Sequence, residues 1–383
     1  MVNMMGTCKN MKTIYIVFDK VPQKEDGGLV ATYINLIKEF KDVYKFKFVS
    51  VFPATQTNIP EFKDIDIITL SSIPINNQFP HAVSFLKRKQ FLRAFSSLLS
   101  AIYFFLFIPI GRLKTRNILC NQLVIASSPA AAIFLSSRIE YILEIHSSYH
   151  YFWESGPLGK AQVSLIPHPA LTLFRTETDA HKAPPCLNPN FIHNAVEEPA
   201  YRTKNKANRP KALFVGRLTP LKNPQMLLRC AQAVQQVIPD FTLDIYGTGE
   251  LQNELETSIT QLGLNNIVSL KGHTDDKGIY SDYDLLWLTS LDEGFGLVII
   301  EAMANKTPTI STYWGDAVYE IIDDQNSGIV AISEEDFIEQ SVRLLQDDTL
   351  LNKMSQKAYL KFTNDFTQQQ HRTKMQEYIE SFI

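Results

Sequence analysis

The fold of this chain is decided by residues 211–224, which read KALFVGRLTPLKNP. The apolar run ALFV predicts a buried strand. Asn223 before Pro224 predicts a helix start, since asparagine often caps helices and proline suits their first position. Two cations, Arg217 and Lys222, lie on the loop between strand and helix. Because open parallel sheets bind ligands at such loops, the stretch indicates an α/β fold and one end of a binding site.

A second stretch, EGFGLVIIE at residues 293–301, places Glu293 before a glycine-flanked aromatic turn and Glu301 inside the helix that follows. A carboxylate accepts hydrogen bonds from vicinal hydroxyls, and amides at a helix start bind anions. Cations that hold phosphates and carboxylates that hold hydroxyls together predict a sugar-nucleotide site. The alternative is that the cations are solvated loop residues and the glutamates an ordinary pair around a turn.

Size and composition limit the classes of protein. The chain has 383 residues, more than one hydrophobic core usually holds, which predicts two domains. A net charge of -3 gives no attraction to nucleic acid, so we expect no nucleic-acid partner. The 4 cysteines lie far apart and fit neither a disulfide framework nor a zinc pattern. This cysteine usage predicts a reducing, cytoplasmic location. The N-terminus lacks the apolar core expected of a secretory signal.

Short apolar runs alternate with segments of helical periodicity along the chain, which predicts an α/β architecture with parallel sheets. The expected strands are 14–18, 45–51, 65–70, 123–126, 143–145, 171–174, 212–215, 242–246, 268–270 and 284–288. The expected helices are 28–40, 224–237, 250–262 and one from about 297. A polar stretch with two prolines, 197–210, is the best candidate for a linker.

The segment 94–110 departs from this pattern because it is strongly apolar and contains no charged residue. Basic residues flank it on both sides within 87–116. Three readings stay open: a short membrane span, a helix buried against the first sheet, and an interfacial helix that contacts a membrane surface. The basic flanks on both sides give no orientation signal for a span. A peripheral membrane contact through 87–116 is therefore one expectation.

The motifs together resemble a known family. Segments 215–218, 222–223, 246–249 and 290–301 resemble the family 4 retaining glycosyltransferases of the GT-B fold, whose signature is a glutamate pair with seven residues between. The resemblance is close over 212–330 and agrees only in outline before it.

The resemblance implies two Rossmann-like α/β domains facing a cleft. Residues 1–196 would form an acceptor-side domain and 197–366 a nucleotide-sugar-binding domain. Residues 367–383 would form a helix that packs on the first domain.

The resemblance also implies roles for the charged residues. Arg217 and Lys222 would bind the nucleotide diphosphate and stabilise charge on the departing phosphate. Glu301 would accept hydrogen bonds from the ribose, and Glu293 from a hydroxyl of the transferred sugar. His146, which follows a predicted strand, would contact the donor sugar; a lone histidine is otherwise more often structural.

Further contacts with the substrate are implied at glycines, backbone amides and one base-lining histidine. These positions are Gly28, Gly247, Gly249, His273, Phe295, Gly296, Leu297 and Val298. The sequence departs from the family at Thr289, where a proline is frequent, and at Ala195, where a glycine is usual. Aromatic residues at 149–153 match nothing general and would either stack on an acceptor or pack.

We expect no metal and no cofactor apart from the nucleotide diphosphate-sugar as co-substrate. The pairs Asp64/Asp66 and Asp282/Asp284 match a D-x-D metal motif by spelling only, because each abuts an apolar strand. In the implied mechanism, the cationic loop does the work of a metal ion.

The expected reaction is transfer of a hexosyl unit, with retention, from a UDP-linked donor to a hydroxyl of a glycan, lipid-linked or protein acceptor. The expected place is the cytoplasm, including the inner face of the cell membrane. One alternative is a catalytically inactive GT-B-fold partner or chaperone of another glycosyltransferase. Another is a phosphorylase or epimerase on the same fold.

Overall fold

The computed structural model describes residues 11–23, 28–53, 57–73, 91–148, 163–199 and 210–382. The chain divides into two compact units. The first consists of Met1–Phe174, Lys182–Phe191 and Glu377–Ile383, and the second of Arg175–His181 and Ile192–Gln376.

The first unit is built on a parallel sheet of seven strands in the order β3-β2-β1-β4-β5-β6-β7. The strands are β1 Thr13–Phe18, β2 Lys45–Ser50, β3 Asp66–Thr69, β4 Leu123–Ala126, β5 Ile142–Glu144, β6 Leu171–Phe174 and β7 Pro189–Phe191. The helices of this unit are α1 Gly28–Phe40, α2 Phe91–Leu119 and α3 Pro129–Ala132. The next helix along the chain, α4 Glu177–Lys182, lies in the second unit except for its last residue. The six strands expected here are confirmed, while β7 was not predicted.

The second unit is built on a parallel sheet of six strands in the order β10-β9-β8-β11-β12-β13. The strands are β8 Lys211–Val215, β9 Thr242–Tyr246, β10 Val268–Gly272, β11 Leu285–Leu288, β12 Thr309–Thr312 and β13 Gly328–Ala331. The helices are α5 Pro224–Val237, α6 Gln252–Gln261, α7 Leu297–Ala304, α8 Val318–Ile321, α9 Glu334–Gln346, α10 Asp348–Asp365 and α11 Gln368–Glu380. Two parallel α/β units confirm the predicted fold class.

Helix α5 has the predicted bounds, but its expected cap is different. Asn223 adopts a left-handed conformation, φ 47° and ψ 50°, and its side chain accepts no capping hydrogen bond. A residue whose side chain caps a helix usually has an extended backbone. Asn223 instead ends the 3₁₀ turn Pro220–Lys222 and takes the left-handed conformation there. Proline at the first helical position therefore remains the sequence feature that fits this helix start.

The core of the second unit packs α5 and α9 on one face of the sheet. α5 buries Leu227, Ala231 and Val234, three or four positions apart, as an amphipathic helix does. Trp287 of β11 is fully buried and stacks on Phe241, with ring centroids 5.2 Å apart. Each such large side chain contributes roughly 1.5–3 kcal/mol by leaving water. This rigid layer supports the loops at the carboxyl ends of the strands.

Helix α2 contains the apolar segment singled out above. Phe104 and Phe107 are buried and contact Phe134, with ring centroids 4.9 Å and 5.9 Å away. The other side of the helix is exposed, with Leu106 at 66% and Leu113 at 59%. The predicted burial of this segment therefore holds for one face of α2 only. None of the helices within the described ranges combines the length and apolarity that a bilayer span needs.

Candidate functional site

The site in the second unit is formed by three loops that follow β8, β9 and β11. These strands are neighbours in one parallel sheet, so their carboxyl ends lie at the same edge. The loops are tied to each other by backbone bonds: the Gly216 amide donates to the Tyr246 carbonyl at 3.0 Å, and Leu291 donates to Leu221 at 2.8 Å. Segments distant in sequence therefore share one edge of the sheet.

Gly247 and Gly249 let two of these loops approach closely. A Cβ on Gly247 would lie 1.8 Å from the Gly216 carbonyl oxygen, and one on Gly249 would lie 2.3 Å from that of Leu218. Gly247 also has a φ of +147°, which side chains rarely tolerate. Both glycines, predicted as substrate contacts, thus have a packing role in the loops that carry the cations.

Lys222 and Glu293 meet in this loop cluster. The Lys222 ammonium donates a hydrogen bond to Glu293 Oε1, and Ser290 Oγ donates to the same oxygen at 2.7 Å. The side chains of Lys222 and Glu293 are 21% and 10% exposed. Thr289 Oγ1 donates to the Lys222 carbonyl at 2.9 Å and fixes that end of the loop. A positive and a negative group are therefore held together, each able to turn to a phosphate or a hydroxyl.

Helix α7 begins directly after this pair. Gly296, at φ +79°, precedes its first residue and has no side chain to cap it. The first amides of a helix, here at Leu297 and Val298, lack partners within the helix and favour an anion. The Phe295 side chain is buried and packs on Phe366, with ring centroids 6.0 Å apart, so only its backbone can serve a ligand.

Glu301 lies inside α7 and is 9% exposed. Its carboxylate accepts hydrogen bonds from the Tyr280 hydroxyl at 2.5 Å and from the Lys277 ammonium at 2.5 Å. Burial, together with the charge of Glu301, raises the pKa of Tyr280 well above its ordinary value, so the hydroxyl stays a donor. Sequence reasoning missed both partners, since a lysine and a tyrosine three positions apart form no motif.

Arg217 and His273 lie at this edge without joining the cluster through their side chains. Arg217 is exposed, and within the described residues its side chain makes no hydrogen bond or ion pair. His273, with a side chain 61% exposed, pairs with Asp275 at 2.9 Å. Arg217 and His273 therefore lie on the predicted loops, and their contacts with the substrate remain predictions.

His146 and Gly28 belong to the first unit. Gly28 is the first residue of α1, and the loop before it, 24–27, lies outside the described residues. His146 follows β5, and its Nε2 lies 3.3 Å from the Tyr33 hydroxyl and 3.6 Å from Glu144 Oε2. Neither Tyr33 nor Glu144 was predicted from sequence.

One aspartate of each D-x-D pair has a partner within the fold, and three other segments singled out in the sequence are not described. The aromatic residues at 149–153, the linker positions 200–209 and the basic positions 87–89 lie outside the described residues. Asp284 accepts the Lys211 amide at 3.0 Å, and Asp66 pairs with Lys47 at 3.1 Å. No group of three or more His, Cys, Asp or Glu is arranged for a metal ion in the part of the chain that the structure describes.

Glu320 is a partly buried charge in the second unit that no motif indicated. It accepts hydrogen bonds from the amides of Glu177 and Thr178 at 2.7 Å and 3.1 Å, and it contacts His193 at 2.6 Å. Burial alone would raise the pKa of Glu320, but these hydrogen bonds outweigh it and lower the pKa to about 2. The carboxylate therefore anchors the start of α4 as an anion.

Residues 197–361 match the family described as Glycosyl transferases group 1. The chain is 31% identical over 183 residues to the GtfA subunit of the UDP-N-acetylglucosamine--peptide N-acetylglucosaminyltransferase of Streptococcus gordonii, covering 44% of this chain and 35% of that protein. It is 30% identical over 154 residues to the poly(glycerol-phosphate) alpha-glucosyltransferase of Bacillus subtilis (strain 168), covering 39% and 23%. The matches thus span about a third or less of these two relatives.

The fold is also found in solved structures. The structure of Anabaena HepE in complex with UDP and glucose superposes with a TM-score of 0.73 at 17% identity, covering 97% of this chain and 100% of that one. Identity this low indicates fold alone. The two parallel-sheet, Rossmann-like units are those of the GT-B fold.

Proposed function

We propose, from the match of residues 197–361 to the glycosyl transferases group 1 family, that this chain is a retaining glycosyltransferase of the family 4 type. It moves a hexosyl unit from a nucleotide diphosphate-sugar to an acceptor hydroxyl. The observation that carries the proposal is the contact between Lys222 and Glu293, which brings together a cation and a carboxylate from separate loops beside the start of α7. Glu301, on the same helix, supplies a second buried carboxylate.

UDP is the proposed nucleotide. The Streptococcus gordonii relative is named for UDP-N-acetylglucosamine, and the HepE structure contains UDP. The first amides of α7 and the Lys222 ammonium face the diphosphate, while Glu301 accepts hydrogen bonds from the ribose hydroxyls. Lys277 and Tyr280, which donate to Glu301, hold its carboxylate in place for that contact.

The chemical step is a displacement at the anomeric carbon. The bond from this carbon to the leaving phosphate oxygen breaks, and the bond to the acceptor oxygen forms on the same face of the sugar. The acceptor proton passes to the leaving phosphate, and the nucleoside diphosphate departs. Arg217 and Lys222 stabilise the negative charge that grows on the phosphate, which is the largest contribution such a site makes. No step requires a metal ion.

The acceptor proposed is a hydroxyl-bearing polymer. The two curated relatives are named for a peptide and for poly(glycerol-phosphate) as acceptors. Both present hydroxyls along a chain, and the same chemistry is available in glycans and lipid-linked saccharides. We therefore propose a role in the synthesis of cell-surface glycans or glycoconjugates, at the cytoplasmic side.

The test of the donor is release of nucleotide diphosphate from a panel of nucleotide-sugars. We expect the wild-type protein to release UDP from one UDP-hexose, and Lys222→Met to reduce that release at least a hundredfold. Lys353→Met, which changes an exposed lysine of α10 in the same way, is the matched control and keeps full activity. If the protein binds UDP but forms none from any nucleotide-sugar, the inactive-partner alternative is supported instead. Equal rates of UDP release by the wild type, Lys222→Met and Lys353→Met contradict the assigned site.

A contact with an anionic membrane surface is the second part of the proposal. An apolar ridge of exposed side chains follows one face of α2 at helical spacing: Phe95, Leu99, Ile102, Leu106, Ile110 and Leu113. Arg116, in the last turn of α2, is exposed, and further basic residues precede the helix in the sequence. Apolar side chains beside basic ones suit the interface of anionic lipids.

Sedimentation with vesicles tests this contact. The protein should pellet with vesicles that contain phosphatidylglycerol and stay in solution with phosphatidylcholine alone. Leu99→Glu with Leu106→Glu should abolish pelleting, whereas Leu360→Glu, at an equally exposed leucine of α10, should not. The ridge is ruled out as a lipid contact if the Leu99→Glu/Leu106→Glu protein still pellets as Leu360→Glu does. It is also ruled out if the wild type pellets with neither kind of vesicle.

A further inference from the structure

Beside His146 lies a buried pair of side chains to which no role has been assigned. Glu144 is 2% exposed and Tyr33 is fully buried, whereas the His146 side chain is 16% exposed. The Tyr33 hydroxyl donates to Glu144 Oε2 at 2.5 Å. Because burying a carboxylate is costly unless it is hydrogen-bonded, this bond helps to hold Glu144 in place beside His146.

The sheet brings the two acid-base groups to the same side. β5 ends at Glu144, and the Ile145 amide still donates to the Leu173 carbonyl at 3.0 Å, so the chain continues extended past the strand. Side chains two positions apart on an extended chain point to one face, which places His146 beside Glu144. Tyr33 reaches them from α1, where its ring packs against Phe18 with centroids 5.0 Å apart.

The hydrogen positions follow from the donors and acceptors. The Tyr33 hydroxyl has one proton, and at 2.5 Å that proton lies on the bond to Glu144. His146 Nε2, 3.3 Å from the Tyr33 oxygen and 3.6 Å from Glu144 Oε2, thus faces two acceptors. A ring nitrogen that faces acceptors carries a proton, so the pair selects the tautomer of His146 with hydrogen on Nε2.

We propose that Glu144, together with Tyr33, is a positioning residue that fixes the orientation and the tautomer of His146 at the donor sugar. The proposal rests on the function proposed above and on the expectation, implied by the family resemblance, that His146 contacts the donor sugar. Glu144 itself touches no substrate and acts through the imidazole. A histidine with the wrong tautomer presents an acceptor where the substrate needs a donor, or the reverse, and in other enzymes that change alone is severe.

The substitution Glu144→Gln separates this role from simple packing. Glutamine keeps the shape, but one atom, Oε2, faces both Tyr33 and His146, and an amide nitrogen in its place cannot accept the Tyr33 proton. The amide and the Tyr33 hydroxyl can then both donate to His146 Nε2, which favours the opposite tautomer. Glu140→Gln is the matched control, because Glu140 is exposed and lies just before the same strand. Tyr33→Phe is a second variant that keeps the ring packing and removes only the hydroxyl.

The tautomer is read directly from ¹⁵N NMR of histidine-labelled protein, with His146→Gln to assign the signal. We expect hydrogen on Nε2 in the wild type, in Glu140→Gln and in Tyr33→Phe, where Glu144 can accept from Nε2 directly. Glu144→Gln should move the proton to Nδ1. An unchanged His146 signal in Glu144→Gln overturns the proposal, and this measurement needs no turnover.

Kinetics provide the functional half of the test. Glu144→Gln should lower kcat about 10- to 100-fold with little change in KM for the donor. The same substitution in a His146→Ala background should have no further effect, whereas an equal loss there indicates a merely structural role and overturns the proposal. Absence of turnover by the wild type refutes the proposed function, while the NMR measurement still decides whether Glu144 sets the tautomer.

Discussion

Gly247→Ala should separate the two loops that carry the cationic end of the site. The added Cβ would lie 1.8 Å from the Gly216 carbonyl oxygen, so this gap must widen by more than about 1.5 Å before carbon and oxygen reach ordinary contact. The shift breaks or stretches the bonds from Gly216 to Tyr246 and from Leu218 to Thr248, both 3.0 Å long.

The expected loss of stability follows from these contacts. Each backbone bond contributes about 1 kcal/mol, and a side chain at a φ of +147° costs about 1–3 kcal/mol, so the total is about 3–5 kcal/mol. Misplacement of a positioned charge by about 1 Å lowers turnover roughly a hundredfold. Urea unfolding and UDP release measure the two effects on the same preparation.

Gly263→Ala is the matched control for backbone strain. Gly263 also has a positive φ, +68°, but a Cβ there would meet nothing within 4 Å. It should cost only about 1 kcal/mol and leave UDP release unchanged. The reasoning is refuted if Gly247→Ala unfolds at the urea concentration of Gly263→Ala, or if its UDP release stays at the wild-type rate.

Three further predictions concern charged and hydrogen-bonding groups. Lys222→Met should reduce UDP release by about 10²–10³, since one positioned charge donor is worth about 3 kcal/mol. Tyr280→Phe removes a hydrogen bond to buried Glu301 and should weaken UDP binding about tenfold in calorimetry. Glu320 has its pKa lowered from 4.5 to about 2, so its stabilising effect is complete above pH 4.5 and is lost as the pH falls toward 2. The stability difference between wild type and Glu320→Gln should therefore be largest at neutral pH and shrink by pH 3 in urea unfolding.

Each of these predictions has a clear contrary result. Wild-type UDP release by Lys222→Met would remove this lysine from the mechanism. Unchanged UDP affinity in Tyr280→Phe would mean that Glu301 needs no support from this hydroxyl. A stability difference that is the same at pH 7 and pH 3 would show that the Glu320 carboxylate is not the group stabilising the start of α4.

Local sequence patterns predicted much of the fold because its strands are buried in parallel sheets. The run at β8 is short and mostly apolar, β9 alternates buried and partly buried residues, and each strand is followed by a helix. β7, Pro189–Phe191, escaped prediction since it has three residues and is held by its pairing with β6 rather than by any pattern of its own. The cap at Asn223 was wrong because the 3₁₀ turn before it, a product of the loop packing, sets its backbone conformation.

In the site, too, motifs within one segment were predicted from sequence, whereas contacts between distant residues were not. The loop bearing Lys222 and the turn beginning at Glu293 were found from sequence because each is a motif in itself. That Lys222 contacts Glu293, 71 positions away, became visible only with the fold. The contact of Tyr33 with His146, 113 positions away, was missed for the same reason, as were the contacts of Lys277 and Tyr280 with Glu301.

The central claim is that the second unit transfers a sugar from a nucleotide donor with retention, using the charges at Lys222 and Glu293. ¹H NMR of a reaction with a UDP-α-hexose and a hydroxyl acceptor tests it most directly, because one spectrum follows both UDP and the new glycosidic bond. The account predicts one UDP released per α-linked product, and neither species with Lys222→Met. A β-linked product, or product that Lys222→Met forms at the wild-type rate, would contradict it.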